Sequence, residues 1–157
     1  MKIIKKHILM FGFIIITVLF LAGCSSLPTA QSGKSILTLN INTTQTSNYG
    51  KPFYVLITQD TSSDFINATE ESLYTSFTND EGSDKYKIFL VPSDGWKTKY
   101  LVLTQGKPIS VYFLFSSNSY AWKYRISEFD KNTAYSFYLR KSSIDKVDFG
   151  DVPWSIF

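Results

Sequence analysis

The sequence predicts an all-β domain built as a two-sheet sandwich, standing behind an export signal. Three observations predict it. From Lys34 onward, short runs rich in Val, Ile, Thr, Tyr and Phe are broken by turn residues. Within most runs apolar and polar residues alternate, the period of a strand with one buried face. Seven such runs follow one another, most at roughly ten-residue spacing, as in a small sandwich.

The first 23 residues stand apart from this pattern. Lys2, Lys5, Lys6 and His7 make a basic start, Ile8 to Phe20 is almost wholly apolar, and Leu21-Ala22-Gly23 leads into Cys24. That is the three-part layout of a secretory signal. The apolar run from Ile8 to Ala22 would span only ~22 Å as a helix, short of a ~30 Å hydrocarbon core. No charged cluster follows it, and Ser25-Ser26-Leu27-Pro28-Thr29-Ala30 reads as a flexible tether. Cys24 is the sole cysteine, so the chain has no internal disulfide to make. Its place after small residues makes it a lipobox cysteine, expected to carry a covalent lipid, and several acyl chains are what durable anchoring requires. Ser25, where Asp would signal retention in the inner membrane, points to the periplasmic face of the outer membrane. The organisation expected is a signal peptide (1–23), a lipidated tether (24–33) and the sandwich (34–157).

The seven expected strands are Ser35–Asn42, Pro52–Gln59, Lys85–Val91, Lys97–Thr104, Ile109–Ser116, Tyr120–Ser127 and Thr133–Lys141. Pro92-Ser93-Asp94-Gly95 supplies a fixed φ and then a residue free to take positive φ, and should close a hairpin between the third and fourth. Gln105-Gly106-Lys107-Pro108, Ser116–Ser119 and Asp130-Lys131-Asn132 make the later turns. Ile109, Val111, Phe113 and Phe115 share one side of their strand and Tyr112 and Leu114 the other; apolar on both sides, it should be central. Trp122, Tyr124 and Ile126 alternate with Lys123 and Arg125, as do Tyr135, Phe137 and Leu139 with Ser136, Tyr138 and Arg140. Between strands two and three, Phe65, Ala68, Thr69, Leu73 and Phe77 fall near helical spacing, and Asn67 with Glu70 resembles a capping box. One short helix is expected there, at about Ala68–Thr75.

Several chemistries are excluded. The only histidine, His7, lies within the signal, so the exported part has no histidine, and its one cysteine is destined for lipid. His-based triads, Cys–His pairs and the usual zinc or copper sites are therefore out of reach. Three of the 16 Lys and Arg precede Cys24 and none of the 13 Asp and Glu do, leaving 13 of each and a formally neutral domain. Nothing in that balance calls for a nucleic acid. A two-carboxylate hydrolase could draw on Asp60, Asp64, Glu70 and Glu71, although a solvated loop and helix start describes them as well. Asn79-Asp80-Glu81-Gly82-Ser83-Asp84 lacks the spacing of a calcium loop and reads as a polar turn. Phe149 to Phe157 is a largely apolar tail, which either folds back on the sandwich or is an exposed docking peptide.

The order of features resembles the TssJ lipoprotein family of type VI secretion systems over most of Ile36 to Ile144. The features are a lipobox and tether, then Leu37-Thr38-Leu39-Asn40-Ile41-Asn42, then Gly50-Lys51-Pro52 leading into Phe53-Tyr54-Val55-Leu56-Ile57. Phe65, Ala68 and Leu73 follow, then Val91-Pro92, the strand Ile109–Ser116 and Ala121-Trp122-Lys123-Tyr124-Arg125. The family commonly sets Trp beside Arg; here Lys123 and Tyr124 intervene. The resemblance implies a transthyretin-like sandwich that is not an enzyme and needs no cofactor beyond the lipid on Cys24. It implies a scaffold role at the outer membrane, docking the periplasmic domain of the TssM-type inner-membrane protein. The loop Thr43, Thr44, Gln45, Thr46, Ser47, Asn48, Tyr49, with one further loop from the same end, is the docking surface expected by analogy. The alternative is a lipoprotein unrelated to secretion, binding sugar or peptide in an aromatic groove.

Overall fold

The computed structural model describes residues 33–78, 85–117, 119–128 and 133–151. In chain order the elements are β1 (Lys34–Thr43), β2 (Phe53–Thr58), α1 (Ser62–Asn67), α2 (Glu70–Thr78), β3 (Lys87–Val91), β4 (Gly95–Thr104), β5 (Ile109–Leu114), β6 (Lys123–Ile126), β7 (Thr133–Arg140) and β8 (Ser143–Asp151). They form the expected all-β sandwich of two four-stranded sheets, one ordered β4-β1-β7-β8 and the other β3-β2-β5-β6. Pairing is antiparallel except between β1 and β7, which run parallel.

The expected alternation builds the core. Leu37, Leu39 and Ile41 of β1 meet Val55 and Ile57 of β2, Val111 and Phe113 of β5, and Phe137 and Leu139 of β7 between the sheets. Phe113 and Phe137 touch across the sandwich with centroids 5.2 Å apart. Each fully buried side chain of this kind contributes about 1.5–3 kcal/mol. The central place of β5 holds: it lies between β2 and β6, and its second face, Tyr112 and Leu114, packs with Leu56 and Leu73 in a smaller apolar cluster. That cluster is the seat of the helices.

Four expectations are corrected. The turn Pro92–Asp94 does not close a hairpin: β3 pairs with β2 and β4 with β1, so the turn is an arch from one sheet to the other. Turn chemistry and strand period are the same for a hairpin and an arch. The choice is made by ten residue pairs between β1 and β4, and by the Thr43 hydroxyl, which donates to the carbonyls of Pro92 (3.3 Å) and Gly95 (3.1 Å). An eighth strand, β8, follows β7 through the two-residue turn Lys141-Ser142; the register shift near Leu139 breaks the period that would have announced it. The run at Tyr120–Ser127 shortens to β6 because Ser119 to Trp122 belong to a loop. Finally, the connection between β2 and β3 carries two helices, not one. The capping box falls at Thr61 and Asp64 rather than Asn67 and Glu70, and Thr69 exchanges a reciprocal pair of bonds with Ser72 at the head of α2. Residues 79–84, the calcium-like turn, lie outside the described residues, as do the lipobox and residues 129–132 and 152–157.

The polar face of β6 holds the helices down. Arg125 donates from Nη1 to Asp60 Oδ1, the Thr61 carbonyl and Ser110 Oγ, each at 3.1 Å, and from Nη2 to the Asp60 carbonyl. Asp60 also accepts from Ser110 Oγ and, at 2.7 Å, from Tyr112 Oη; its side chain is only 3% exposed. One strand position pair earlier, Lys123 Nζ donates to the carbonyls of Phe65, Ile66 and Ala68 at 2.8–3.0 Å, capping the end of α1 where no basic residue of its own stands. Burial, and then the hydrogen bond to Asp60, push the Tyr112 hydroxyl well above the usual tyrosine range, so it stays a donor.

Arg125→Met should destabilise the chain by ~3–5 kcal/mol, since it leaves the Asp60 carboxylate buried without its cation. The double variant Asp60→Asn, Arg125→Met should recover much of that loss. Urea denaturation of the three proteins measures it. Equal losses in the single and double variants would show that the pair is not coupled.

Candidate functional site

Strand directions sort the connections to two ends. The start of β1, the β2–β3 connection carrying the helices, the β4–β5 turn and the close of β8 share one end. The β1–β2 loop, the β3–β4 arch, the β5–β6 loop and the β7–β8 turn gather at the other. At this second end lies an open cleft of about 550 Å³, lined by Tyr49, Ser119, Tyr120, Arg140, Lys141, Ser142, Ser143 and Asp145.

The expected docking segment lies here, but it is divided. Thr44, Gln45, Thr46 and Tyr49 are exposed, whereas Thr43, Ser47 and Asn48 are buried and face inward. Ser47 Oγ donates to the Leu139 carbonyl at 3.0 Å and accepts from the Thr44 N–H at 2.8 Å. Asn48 is fully buried, and each of its polar groups is engaged. Its amide Nδ2 donates to the carbonyls of Lys51 (3.0 Å) and Pro52 (3.2 Å), and Oδ1 accepts from the N–H (2.7 Å) and hydroxyl (2.9 Å) of Ser116. Its backbone N–H donates to the Lys141 carbonyl, and its carbonyl accepts from Lys51 N–H at 3.0 Å. One buried asparagine therefore ties the β1–β2 loop to the β5–β6 loop and the β7–β8 turn. The Ile144 N–H donates to the Ala121 carbonyl at 2.8 Å, joining the start of β8 to the β5–β6 loop.

This knot has a backbone requirement. Asn48 (φ 47°), Tyr49 (φ 54°) and Gly50 (φ 75°) are successive left-handed residues, and Lys141 (φ 52°) is another. Asn and Gly adopt that conformation readily; Tyr and Lys do so at some cost, which the surrounding bonds offset. The turn leaves Tyr49 62% exposed on the cleft that it lines together with Tyr120, which is 96% exposed. Tyr120 and Arg140–Ser143 are not singled out by sequence. Tyr120 reads there as the first residue of a strand, and the β7–β8 turn cannot be seen without β8.

The four acids weighed for hydrolysis do not line this cleft. Asp60 is taken up with Arg125, Ser110 and Tyr112. Asp64 is exposed and held below its ordinary range by its capping bonds with Thr61. Burial raises Glu70, while the Ser119 N–H it accepts acts in the other direction; Glu71 is exposed.

No family profile and no curated protein matches the sequence. Solved structures match its shape. The type VI secretion lipoprotein TssJ1 from Pseudomonas aeruginosa superimposes with a TM-score of 0.60 at 12% identity, over 76% of this chain and 98% of that one. A chain of a structure described as a type VI membrane complex gives 0.58 at 18% identity, over 76% and 98%. A chain of a structure described as the TssM C-terminal domain from EAEC gives 0.54 at 18% identity, over 74% and 98%. The fold is that of the TssJ lipoprotein structures. At these identities the likeness is one of fold, and the matched structures are those of type VI secretion components.

Asn48→Ala should cost ~3 kcal/mol, through unpaired buried partners and a left-handed backbone without a favoured residue. Asn48→Gly should cost about 1 kcal/mol less, because only the side-chain bonds are lost. Thermal and urea denaturation test this; equal costs for the two variants would remove the backbone part of the account.

Proposed function

We propose that the chain is a lipid-anchored scaffold of a type VI secretion membrane complex, docking the periplasmic part of a TssM-type inner-membrane protein. The observation that carries this reading is the division of the sandwich into two ends. The chain leaves Gly33 toward Cys24 at one end, and the interlocked loops stand at the other. With Cys24 acylated in the inner leaflet of the outer membrane, the loop end faces the periplasm and an incoming partner. The fold likeness to secretion lipoproteins supports it. The loop end also suits docking, because it is rigid and exposes two tyrosines beside a polar cleft. Tethering raises the effective concentration for a modest interface. The contacts proposed are Thr44, Gln45, Thr46 and Tyr49, with Tyr120 and the Lys141-Ser142 turn as the further loops. Thr43, Ser47 and Asn48 support them from beneath.

Calorimetric titration of the chain with the periplasmic C-terminal region of the TssM-type protein from the same genome tests this. Micromolar or tighter binding is expected, weakening by roughly tenfold or more in Tyr120→Ser and in Tyr49→Gly, which keeps the left-handed backbone. Binding that ignores both variants would place the contact elsewhere. No binding between two folded proteins would end the scaffold reading.

One surface favours a second reading, a glycan-binding lipoprotein. The outer face of the β4-β1-β7-β8 sheet is not covered by the helices and exposes Trp96, Tyr100 and Tyr138. Between them, Asn40 accepts from Thr98 (3.0 Å) and donates to Ser136 (3.3 Å). Aromatic rings rising from a bed of neutral hydrogen-bonding groups suit the faces and hydroxyls of sugars. Titration with chitin oligosaccharides should then quench tryptophan emission in the parent chain and not in Trp96→Ala; a flat response in both removes this reading.

A further inference from the structure

We propose that the outer edge of β8 is a dimer interface, where a second copy of this chain adds its own β8 antiparallel about Val147 and joins two β4-β1-β7-β8 sheets into one.

A strand at the end of a sheet leaves one row of backbone N–H and C=O groups without a strand partner, and folds blunt such edges by shortness or by charges turned inward. The edges here are β4 and β8 in one sheet, β3 and β6 in the other. Three of them are blunted. β6 has four residues and β3 has five. Lys87 of β3 lies opposite Ile57, and Lys97 and Lys99 of β4 lie opposite Ile41 and Leu39, so these lysines stand on the core-facing side of their strands. Lys99 Nζ sits 5.4 Å from the centroid of the Phe89 ring of β3, across the open side of the sandwich. β8 differs: it has nine residues and no proline. Its core-facing residues Ile144, Val147 and Phe149, opposite Leu139, Phe137 and Tyr135, are apolar. Phe149 stacks on Tyr135 with centroids 5.9 Å apart and is still 73% exposed. Among the described residues no strand pairs with the outer edge of β8.

Charge selects the occupant and its register. Lys146 and Asp148 stand on the other face of β8, on either side of Val147, with Nζ and Oδ2 2.7 Å apart. Residues opposite one another in an antiparallel pair share a face, so two copies of β8 pair about a single residue. Centred on Lys146, the pair sets lysine against lysine; centred on Asp148, aspartate against aspartate. Centred on Val147, it sets Lys146 of each copy against Asp148 of the other, and both contacts are attractive. Lys146-Val147-Asp148 is thus its own complement when read backward, as a two-fold interface requires. In this register the two Val147 side chains meet on the axis, and Phe149 lies diagonal to Val147 of the second copy, which covers it. The register shift between Tyr138 and Leu139 falls beside Asp145, outside these three residues. The axis turns the loop ends of the two copies in opposite directions, so this pair is a state distinct from the docked arrangement and does not rest on the scaffold reading.

Sedimentation equilibrium of the full chain in density-matched detergent tests this. The parent is expected to dimerise with a Kd of about 10–100 µM, weak as befits an interface of one strand pair. Lys146→Asp gathers four aspartates at the axis and Asp148→Lys gathers four lysines, so each should weaken association by roughly tenfold or more. An equimolar mixture of the two variants sets aspartates against lysines and should associate like the parent, as a dimer of mixed composition by native mass spectrometry. The double variant Lys146→Asp, Asp148→Lys restores both contacts within one sequence and should also dimerise like the parent, which tests the register even where a single variant fails to fold. A parent that stays monomeric at its highest soluble concentration overturns the proposal. So does a dimer indifferent to both single reversals, or a double variant that stays monomeric while folded.

Discussion

The buried carboxamide of Asn48 is the constraint on which the working end of this sandwich depends. A two-sheet domain can be stable with loops of almost any conformation, because its core lies between the sheets. Here one residue, fully withdrawn from water, makes bonds to three connections at once. Buried donors and acceptors left unpaired are costly, so the three connections are held in a single arrangement. The left-handed run Asn48-Tyr49-Gly50 accompanies the same requirement, and it leaves Tyr49 exposed on the cleft that Tyr120 also lines.

The opposite sheet solves a different problem. β5 is apolar on both faces, and the face turned away from the core would be left in water without the helices. Two short helices, neither long enough to be stable alone, are laid over it and secured by charge. Arg125 takes the Asp60–Thr61 corner where α1 begins, and Lys123 takes the carbonyls where it ends. The basic residues of β6, which alternate with its core residues, are thus engaged inside the fold. An Asp buried among Arg, Ser and Tyr has the look of a catalytic group, yet every contact it makes serves this closure.

Together these features separate the molecule into an end where β1 begins and β8 closes and an end built of interlocked loops. The proposed scaffold role asks for that polarity more than for a reactive group, since a scaffold must present one surface at a fixed place. The aromatic face of the β4-β1-β7-β8 sheet, left uncovered by the helices, lies between the two ends and is the feature that the proposed scaffold role accounts for least.

Some of this was determined by the sequence itself. Alternation of side chains has a period of two in any strand, so Val111, Phe113, Phe137 and their neighbours were bound for the core whatever their partners. The apolar run ending at Leu-Ala-Gly-Cys, and the lack of histidine beyond residue 7, are likewise properties of composition and order. The tertiary structure decided the rest. Pro92–Gly95 serves as an arch because β1 offers β4 a longer partner than β3 could, a comparison between distant segments that no local turn encodes. The same holds for Thr43–Tyr49, whose polar residues look alike in sequence. Ser47 and Asn48 are buried while Thr46 and Tyr49 are exposed because Leu139, Ser116 and Lys141, far along the chain, supply their partners. Local period and turn chemistry act over a few residues, whereas pairing and polar satisfaction act between residues brought together only by folding.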